Sequence, residues 1–559
     1  MTAATLHDSA GLRLMRRLAG VAFASRAYGL LLPRKAPLEL PHLPDDPWPG
    51  LPANADRLFQ GRFLLAGIEV VSPHAAPWAM TAAELKLDAA SFAAWAAALH
   101  DFGWLRDFAT QGGDMARRMS RSLVVSWLDR HDSIRSLPWQ PAVAGQRLAH
   151  WLLNGHFLVD GADERFAHDF LLAIVRHAAY LQHAARLAPP GLPRFRALLG
   201  LAYAAECLPD GATRYPHALR DLVACLDAQL LADGGHASRS PSQLFALLRQ
   251  VTVLWRFLRA LDPERAALLQ PYLDRMAPML RFFRHGDGGL ALFHGSAEEN
   301  SAQLDLALEL SEARGKPLTS ATLSRFERAT AKRALLLLDA GTPPSSLLAG
   351  ARPHRGLLSF EFSHGKDRLI VNCGAPQRAG GSSGHDWAKA LSSIAAHSTL
   401  GLGEGEPAAD ARVQVSRNEL DGAVWFEAEH DGWGRGAAMR HHRRRLYLAA
   451  GGEDLRGEET VTGAGGNPQS AVLRLHLHPS VHASMIGSGD TVILKSAGGQ
   501  GWRWRGAGGV VRLEDSIYFG QRDAGGGPDA PRRCQQIVMA GSAGTDDLTF
   551  KWALTKIGI

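Results

Sequence analysis

Two hydrophobic periods divide this chain. In 91–104 the large apolar side chains are Phe92, Trp95, Leu99 and Phe102, three or four positions apart. In 243–261 they are Leu244, Leu247, Leu248, Val251, Leu254, Trp255 and Leu258. Both sets fall on one side of a helix of 3.6 residues per turn, and neither alternates. The same reading predicts helices over 142–158, 165–187, 194–207, 217–231, 264–283, 301–314 and 320–338. Short connections between them imply antiparallel neighbours, a succession of helical hairpins.

Beyond residue 355 the period becomes two. Leu358, Phe360 and Phe362 alternate with Ser359 and Glu361, a turn falls at 364–367, and Leu369 and Val371 resume the alternation. Leu473, Leu475 and Leu477 take one face of a strand whose other face carries Arg474, His476 and His478. Trp502 and Trp504 share a face, and such segments recur as far as Trp552. This pattern predicts a large antiparallel β-sandwich. Glycine follows the same division, with 24 in residues 1–350 and 34 in the rest. Gly341, Pro343, Pro344, Ser345 and Ser346 interrupt both periods, so 339–355 is read as a linker. It separates a helical domain over 61–338 from a β domain over 356–559. Pro33, Pro37, Pro41, Pro44, Pro47, Pro49 and Pro52 exclude regular structure near the start. Residues 1–60 are therefore expected as an extended strap lying on the helical body.

Composition narrows the picture. A chain of 559 residues with 46% hydrophobic and 21% charged residues is globular and multidomain. No apolar run is long enough to span a bilayer; the best, 18–32, is interrupted by Arg26. That stretch also makes a poor export signal, so the sequence leaves the compartment open between cytoplasm and periplasm. Four dispersed cysteines exclude a disulfide scaffold and a metal finger. The net charge of +6 rests on 52 arginines against 9 lysines, a skew typical of GC-rich coding. A positive balance suits an anionic polymer, but this one is small; no nucleic-acid partner is expected.

Four places carry candidate chemistry. In Asp233-Gly-Gly-His-Ala-Ser-Arg-Ser-Pro241, Ser240 and Pro241 read as the start of the following helix. The turn would set His236 and Arg239 beside a helix N-terminus, where a carboxylate is favoured. A plain capping loop explains the same residues. His354, Asn372 and His397 lie on neighbouring strands or strand ends, where two imidazoles and an amide could hold a metal. Hydrogen-bonded structural histidines are the competing reading. Arg474, His476 and His478, with His441 and His442, form a polar sheet face that lines a cleft or meets solvent. Trp104 is placed to stack on a sugar ring or to pack between helices.

Together these motifs resemble the heparinase II/III family of polysaccharide lyases. The resemblance rests on Phe102-Gly-Trp-Leu-Arg-Asp107, Asp233-Gly-Gly…Ser240-Pro241, Leu358-Ser-Phe-Glu361, Val371-Asn-Cys-Gly374, Ala396-His-Ser-Thr399 and Leu477-His-Pro479. It implies an α/α toroid followed by an antiparallel β-sandwich, a cleft between them, and β-elimination on a uronic-acid polymer. That reaction needs a base for the proton beside the carboxylate, a cation or amide on the carboxylate, and an acid for the leaving oxygen. The family's catalytic Tyr position is Gln243 here, followed by Leu244. Its His-x-His-x-Asp motif reads Arg352, His354 and Gly356. The helical Asn or His falls near Pro193-Arg-Phe-Arg196. The resemblance also implies one structural zinc on His354, position 372 (Asn for the family's Asp) and His397.

Gln243 exchanges no proton at neutral pH and Arg352 is a poor base. Two readings follow. In one, the chain is a lyase with rearranged groups: His236 as base, Tyr215 or Tyr203 as acid, and Arg239, Arg352, Arg194, Gln243 and Trp104 on an acidic polysaccharide. In the other, it binds an acidic glycan, or assists envelope biogenesis, without catalysis. A hydrolase would instead need two facing carboxylates, for which Asp233 and Asp287 are the candidates.

Overall fold

The computed structural model describes residues 10–72, 77–131, 134, 137–344, 353–375, 387–434, 436, 439–463, 468–487, 489–521, 531–544 and 546–558. Helices occupy the first part. The longer ones are Ala10–Phe23, Ala89–His100, Gly113–Arg130, Pro141–Leu153, Glu164–Ala184, Leu192–Cys207, Ala218–Gln229, Pro241–Leu261, Gln270–Phe282 and Ser301–Leu310. Local chemistry starts several of them. Asp88, Asp163 and Asn300 accept backbone N–H groups of the first turn through their side chains. Pro141 and Pro241 open helices where a missing N–H costs nothing. Ser240 does not cap; its hydroxyl pairs with Ser296, and Ser296 takes the Ser242 N–H instead.

Two antiparallel sheets follow. One runs His482–Ile486, Thr491–Lys495, Gly501–Ala507, Leu548–Lys556, Asp454–Thr462, Arg440–Leu448, Ala423–Trp433, Val413–Leu420. The other runs Val510–Tyr518, Arg532–Ala543, Gln469–Leu477, Asp367–Val371, Phe360–His364, Ala334–Asp339, Phe326–Ala331, Ser320–Ala321, with Leu400–Leu402 beside Gln469–Leu477. Side chains of both sheets meet in one core, where Phe360 stacks on Trp552 and Phe362 meets Trp502 edge-on.

Three expectations need correction. Residues 320–338 are strands of the second sheet, not a helix, so the helical part ends at Leu310 and the boundary at 338 falls inside a sheet. The reason lies in Ala334–Asp339. Leu335 and Leu337 face the helical core, while Leu336 and Leu338 face the core between the sheets. A strand buried on both faces has no alternation to read. The first 60 residues are not wholly extended: Ala10–Phe23, Arg26–Leu31 and Pro52–Phe59 are helical, and only the proline-dense 32–51 behaves as a strap. Gly113–Arg130 is a helix absent from the sequence reading, because its buried stripe (Ala116, Ser120, Leu123, Val124, Trp127) begins with small residues among arginines. The middle of the expected linker, 345–352, lies outside the described residues.

Candidate functional site

The junction between the two parts is charged but engaged with itself. Asp233 ties its turn to the strand side, accepting the N–H groups of Leu323 and Ser324 through one oxygen and that of Gly235 through the other. His236 is 2% exposed. Its Nδ1 accepts from the Ser238 backbone N–H at 3.1 Å and faces the Ser238 hydroxyl at 2.6 Å; Nε2 donates toward Gln229. Burial pushes its pKa down to about 4. The residue expected as a base is thus sealed inside its own loop.

Arg239 is also turned inward. It donates to the carbonyls of Ser324 (2.9 Å), Thr342 (2.8 Å) and Arg325 (3.0 Å), and pairs with the Asp339 carboxylate. Its guanidinium lies 4.5 Å from the Phe326 ring centroid. The carboxylate it was expected to bind is supplied by the protein. Asp339 accepts from His294 as well, at 2.8 Å. A second lock joins Asp287 to Arg368 (2.7 and 3.1 Å), and Arg368 holds the Leu290 carbonyl. Asp233 and Asp287 are therefore both spent on structure, not poised as a hydrolytic pair. A third carboxylate, Glu361, accepts from the Leu292 N–H, from the Asn372 backbone and side chain, and from His285.

The histidines proposed as metal ligands form a pair. His397 Nδ1 donates to the Ser393 carbonyl at 2.7 Å, which leaves a lone pair on Nε2. His354 Nδ1 lies 3.0 Å from that nitrogen and donates to it. Burial holds His397 neutral, at about 4. Asn372 spends its amide on Glu361 and its oxygen on the Ser398 N–H. Among the described residues no three His, Cys, Asp or Glu side chains converge as a metal would require. The zinc implied by the resemblance does not fit this arrangement.

The remaining expected residues are dispersed. Trp104 is a core side chain, with its indole N–H on the Leu99 carbonyl and its ring against Phe102 and Phe108. Tyr215 packs into the helical core, where burial raises its pKa. Arg194 holds the Ala188 carbonyl. Arg352 lies outside the described residues.

An accessible cationic site lies elsewhere, within the helical part. Gly145 and Gly200 bring Pro141–Leu153 and Leu192–Cys207 into backbone contact; a Cβ on either would strike the other helix. Beside that crossing is a cavity of about 260 Å³ lined by Trp48, Arg106, Gln146, His150, Arg196, Tyr203, Arg249 and Gln250, among others. Arg249 is pushed down to about 10 by burial and then by the charge of Arg106. Arg196 Nε and Gln250 Oε1 are buried without a hydrogen-bond partner. His150 Nδ1 donates to the Asp101 carbonyl at 2.7 Å, so the neutral ring keeps its lone pair on Nε2. The strap covers this place: Asp46 pairs with Arg106 at 2.6 Å, and the Arg249 guanidinium lies 4.4 Å from the Trp48 ring centroid. Gln243 stands on the same helical stripe as Ala246 and Gln250. Sequence reading reached Arg194 and missed Arg196 two residues on, as well as Arg249. The signal available was an arginine among the mainly apolar residues of each of two helices, Arg196 in Leu192–Cys207 and Arg249 in Pro241–Leu261.

The fold has known counterparts. Residues 313–553 match the family described as heparinase II/III-like, C-terminal. That match covers 241 of the 559 residues and bears out the family resemblance for the C-terminal part of the chain. Over almost its whole length it is similar to FtsZ-localized protein C of Caulobacter vibrioides, 29% identical over 568 residues, covering 96% of this chain and 93% of that one. Among solved structures it resembles heparinase III (TM-score 0.67, 14% identity, 86% of this chain and 79% of that one). It also resembles a mutant of heparan sulfate lyase HepC from Pedobacter heparinus (TM-score 0.62, 13% identity, 97% and 88%). At such identities these likenesses show the fold.

Proposed function

We propose that this protein binds an acidic saccharide in the arginine-lined cavity of its helical part, on a lyase-like scaffold, without performing β-elimination at the junction. In this reading the helices close into the toroid and the sheets into the sandwich of the lyases. The observation that carries it is the cavity itself. Three guanidiniums surround a volume suited to one sugar unit, and Arg196 Nε and Gln250 Oε1 have no protein partner there. The engagement of His236 and Arg239 by protein groups argues against elimination at the junction. The relative similar over almost the whole chain is named for its localisation with FtsZ and not for a lyase activity, which favours the non-catalytic reading.

A second reading draws on His150 and Tyr203. A neutral imidazole and a phenol kept protonated by burial share the cavity with the arginines, a base and an acid for elimination within the helical part itself.

Titration calorimetry with heparan, chondroitin and alginate oligosaccharides, alongside ultraviolet absorbance, tests both. Salt-sensitive binding that Arg196→Ala or Arg249→Ala weakens at least tenfold, with no rise in absorbance, is the expected outcome. A rise abolished by His150→Ala establishes the second reading. Binding indifferent to both arginine substitutions overturns the first.

A further inference from the structure

The large apolar side chains left exposed are concentrated at one place. Among the described residues, Leu14, Met15, Leu18, Val21, Leu30, Leu31 and Leu38 account for seven of eighteen. Six of these lie on two consecutive helices, Ala10–Phe23 and Arg26–Leu31. Leu18 is 63% exposed, Val21 75% and Leu31 79%. A soluble surface scatters such residues singly; a contiguous run marks a surface meant to be covered.

The first helix is sorted into three faces. Arg16, Ala19, Gly20 and Phe23 lie toward the body, where Phe23 meets Tyr180 edge-on. Leu14, Leu18 and Val21, spaced four and three apart, point away with Met15 beside them. Arg13 and Arg17 stand at the edge between, both exposed. Docking to the body is shallow: no residue of this helix is buried, and the Arg16 pKa is lowered by partial burial and then by the like charge of Arg194. From Ala10 to Leu38 the sequence holds six basic residues and no acidic one.

That combination selects the occupant. A protein partner for an apolar stripe needs no uniform charge beside it, whereas an anionic bilayer offers acyl chains to the leucines and phosphates to the arginines. No described helix is long and apolar enough to cross a bilayer, so the segment lies on the surface. We propose that the two N-terminal helices form a peripheral membrane anchor, seating Leu14, Leu18, Val21, Leu30 and Leu31 in an anionic lipid surface with Arg13 and Arg17 at the headgroups.

The test uses the full-length chain and vesicles of phosphatidylglycerol mixed with phosphatidylcholine. Co-sedimentation is expected for the wild type, falling at least tenfold for Leu18→Glu/Val21→Glu, and falling with salt and with Arg13→Gln/Arg17→Gln. Pure phosphatidylcholine vesicles should bind far less. The four native cysteines are buried, so Val21→Cys can be labelled selectively with an environment-sensitive dye. Its emission should shift to the blue on anionic vesicles. A wild type that stays in the supernatant, a double glutamate variant that binds equally well, or an unshifted dye overturns the proposal. So does a dimer in light scattering that the glutamates dissociate without any vesicle binding, because the face would then belong to a second copy. Unchanged thermal unfolding of the variants shows that the fold is intact.

Discussion

Asp339 decides what Arg239 can do. Both are buried, and the carboxylate is held below its ordinary range, with Arg239 and His294 outweighing the cost of burial. Removing one member of such a pair strands the other charge, at a cost of about 3–5 kcal/mol. Asp339→Ala should therefore lower the urea midpoint strongly, and Arg239→Met/Asp339→Leu should recover much of the loss; a small effect of the single change would disprove the lock. Buried histidines set the response to acid. His236 and His397 sit at about 4 against an ordinary 6.5, so the unfolded chain binds protons that the folded chain refuses. Their contribution is complete above 6.5 and is lost as pH falls from 6.5 toward 4. Glu298 and Glu459, held at about 2 by their hydrogen-bonded partners and nearby cations, add stability above 4.5 that is lost between 4.5 and 2. Melting temperatures followed from about pH 8 to about pH 3 should fall in two stages, and a flat profile down to 4.5 would contradict the first. At this scale sequence reading identified the right residue types and the wrong partners. His236, Arg239 and His354 were all legible as chemically special, but a sequence does not reveal that Asp339, one hundred positions on, already answers Arg239.

Elements carry the next lesson. Period 3.6 located Pro241–Leu261 and Glu164–Ala184 because each keeps a polar face beside its dry one, while Leu192–Cys207 is buried almost all round. It failed at Ala334–Asp339, where both faces are dry, and at Gly113–Arg130, whose inner stripe begins with the small Ala116 and Ser120. The strap is an element defined by its prolines, and its function was hidden because its partners are remote: Trp48 on Arg249, Asp46 on Arg106, and the Leu51 N–H on Asp107. Asp46 competes with any acidic ligand for Arg106. Asp46→Asn should therefore tighten binding of an acidic oligosaccharide, about three- to tenfold at low salt, and calorimetry that shows weaker binding would count against the cavity. Between two separate segments that connect sheet strands, His354 and His397 are joined by a hydrogen bond and need no metal to hold them. Purified protein should hold far less than one equivalent of zinc, and chelator should leave its melting temperature unchanged; a stoichiometric metal in elemental analysis would reverse that conclusion.

Across the whole molecule, the junction behaves as a set of locks. Arg239 with Asp339, Arg368 with Asp287, and Glu298 with His478 and Tyr518 each join a helical-side loop to a strand. With these intact, calorimetry should record one cooperative transition. Asp287→Ala/Asp339→Ala should lower its midpoint yet leave it single, because Leu335 and Leu337 of the second sheet still seat in the helical core; two separated transitions would contradict that coupling. The succession of helices and sheets was readable from the sequence because it follows from periodicity and glycine content. Which surface is a site and which a seam was not, because both are built from arginines, histidines and carboxylates.

The strand Ala334–Asp339 has a further implication for descent. One short segment supplies leucines to two interiors at once, so a mutation there must satisfy both in the same generation. Recombination that exchanged the C-terminal part at residue 338 would part a strand from its sheet and leave oily residues bare on the donor. Lineages of this architecture should therefore trade their lobes only upstream, in the stretch after Leu310, or inherit them as a single heirloom.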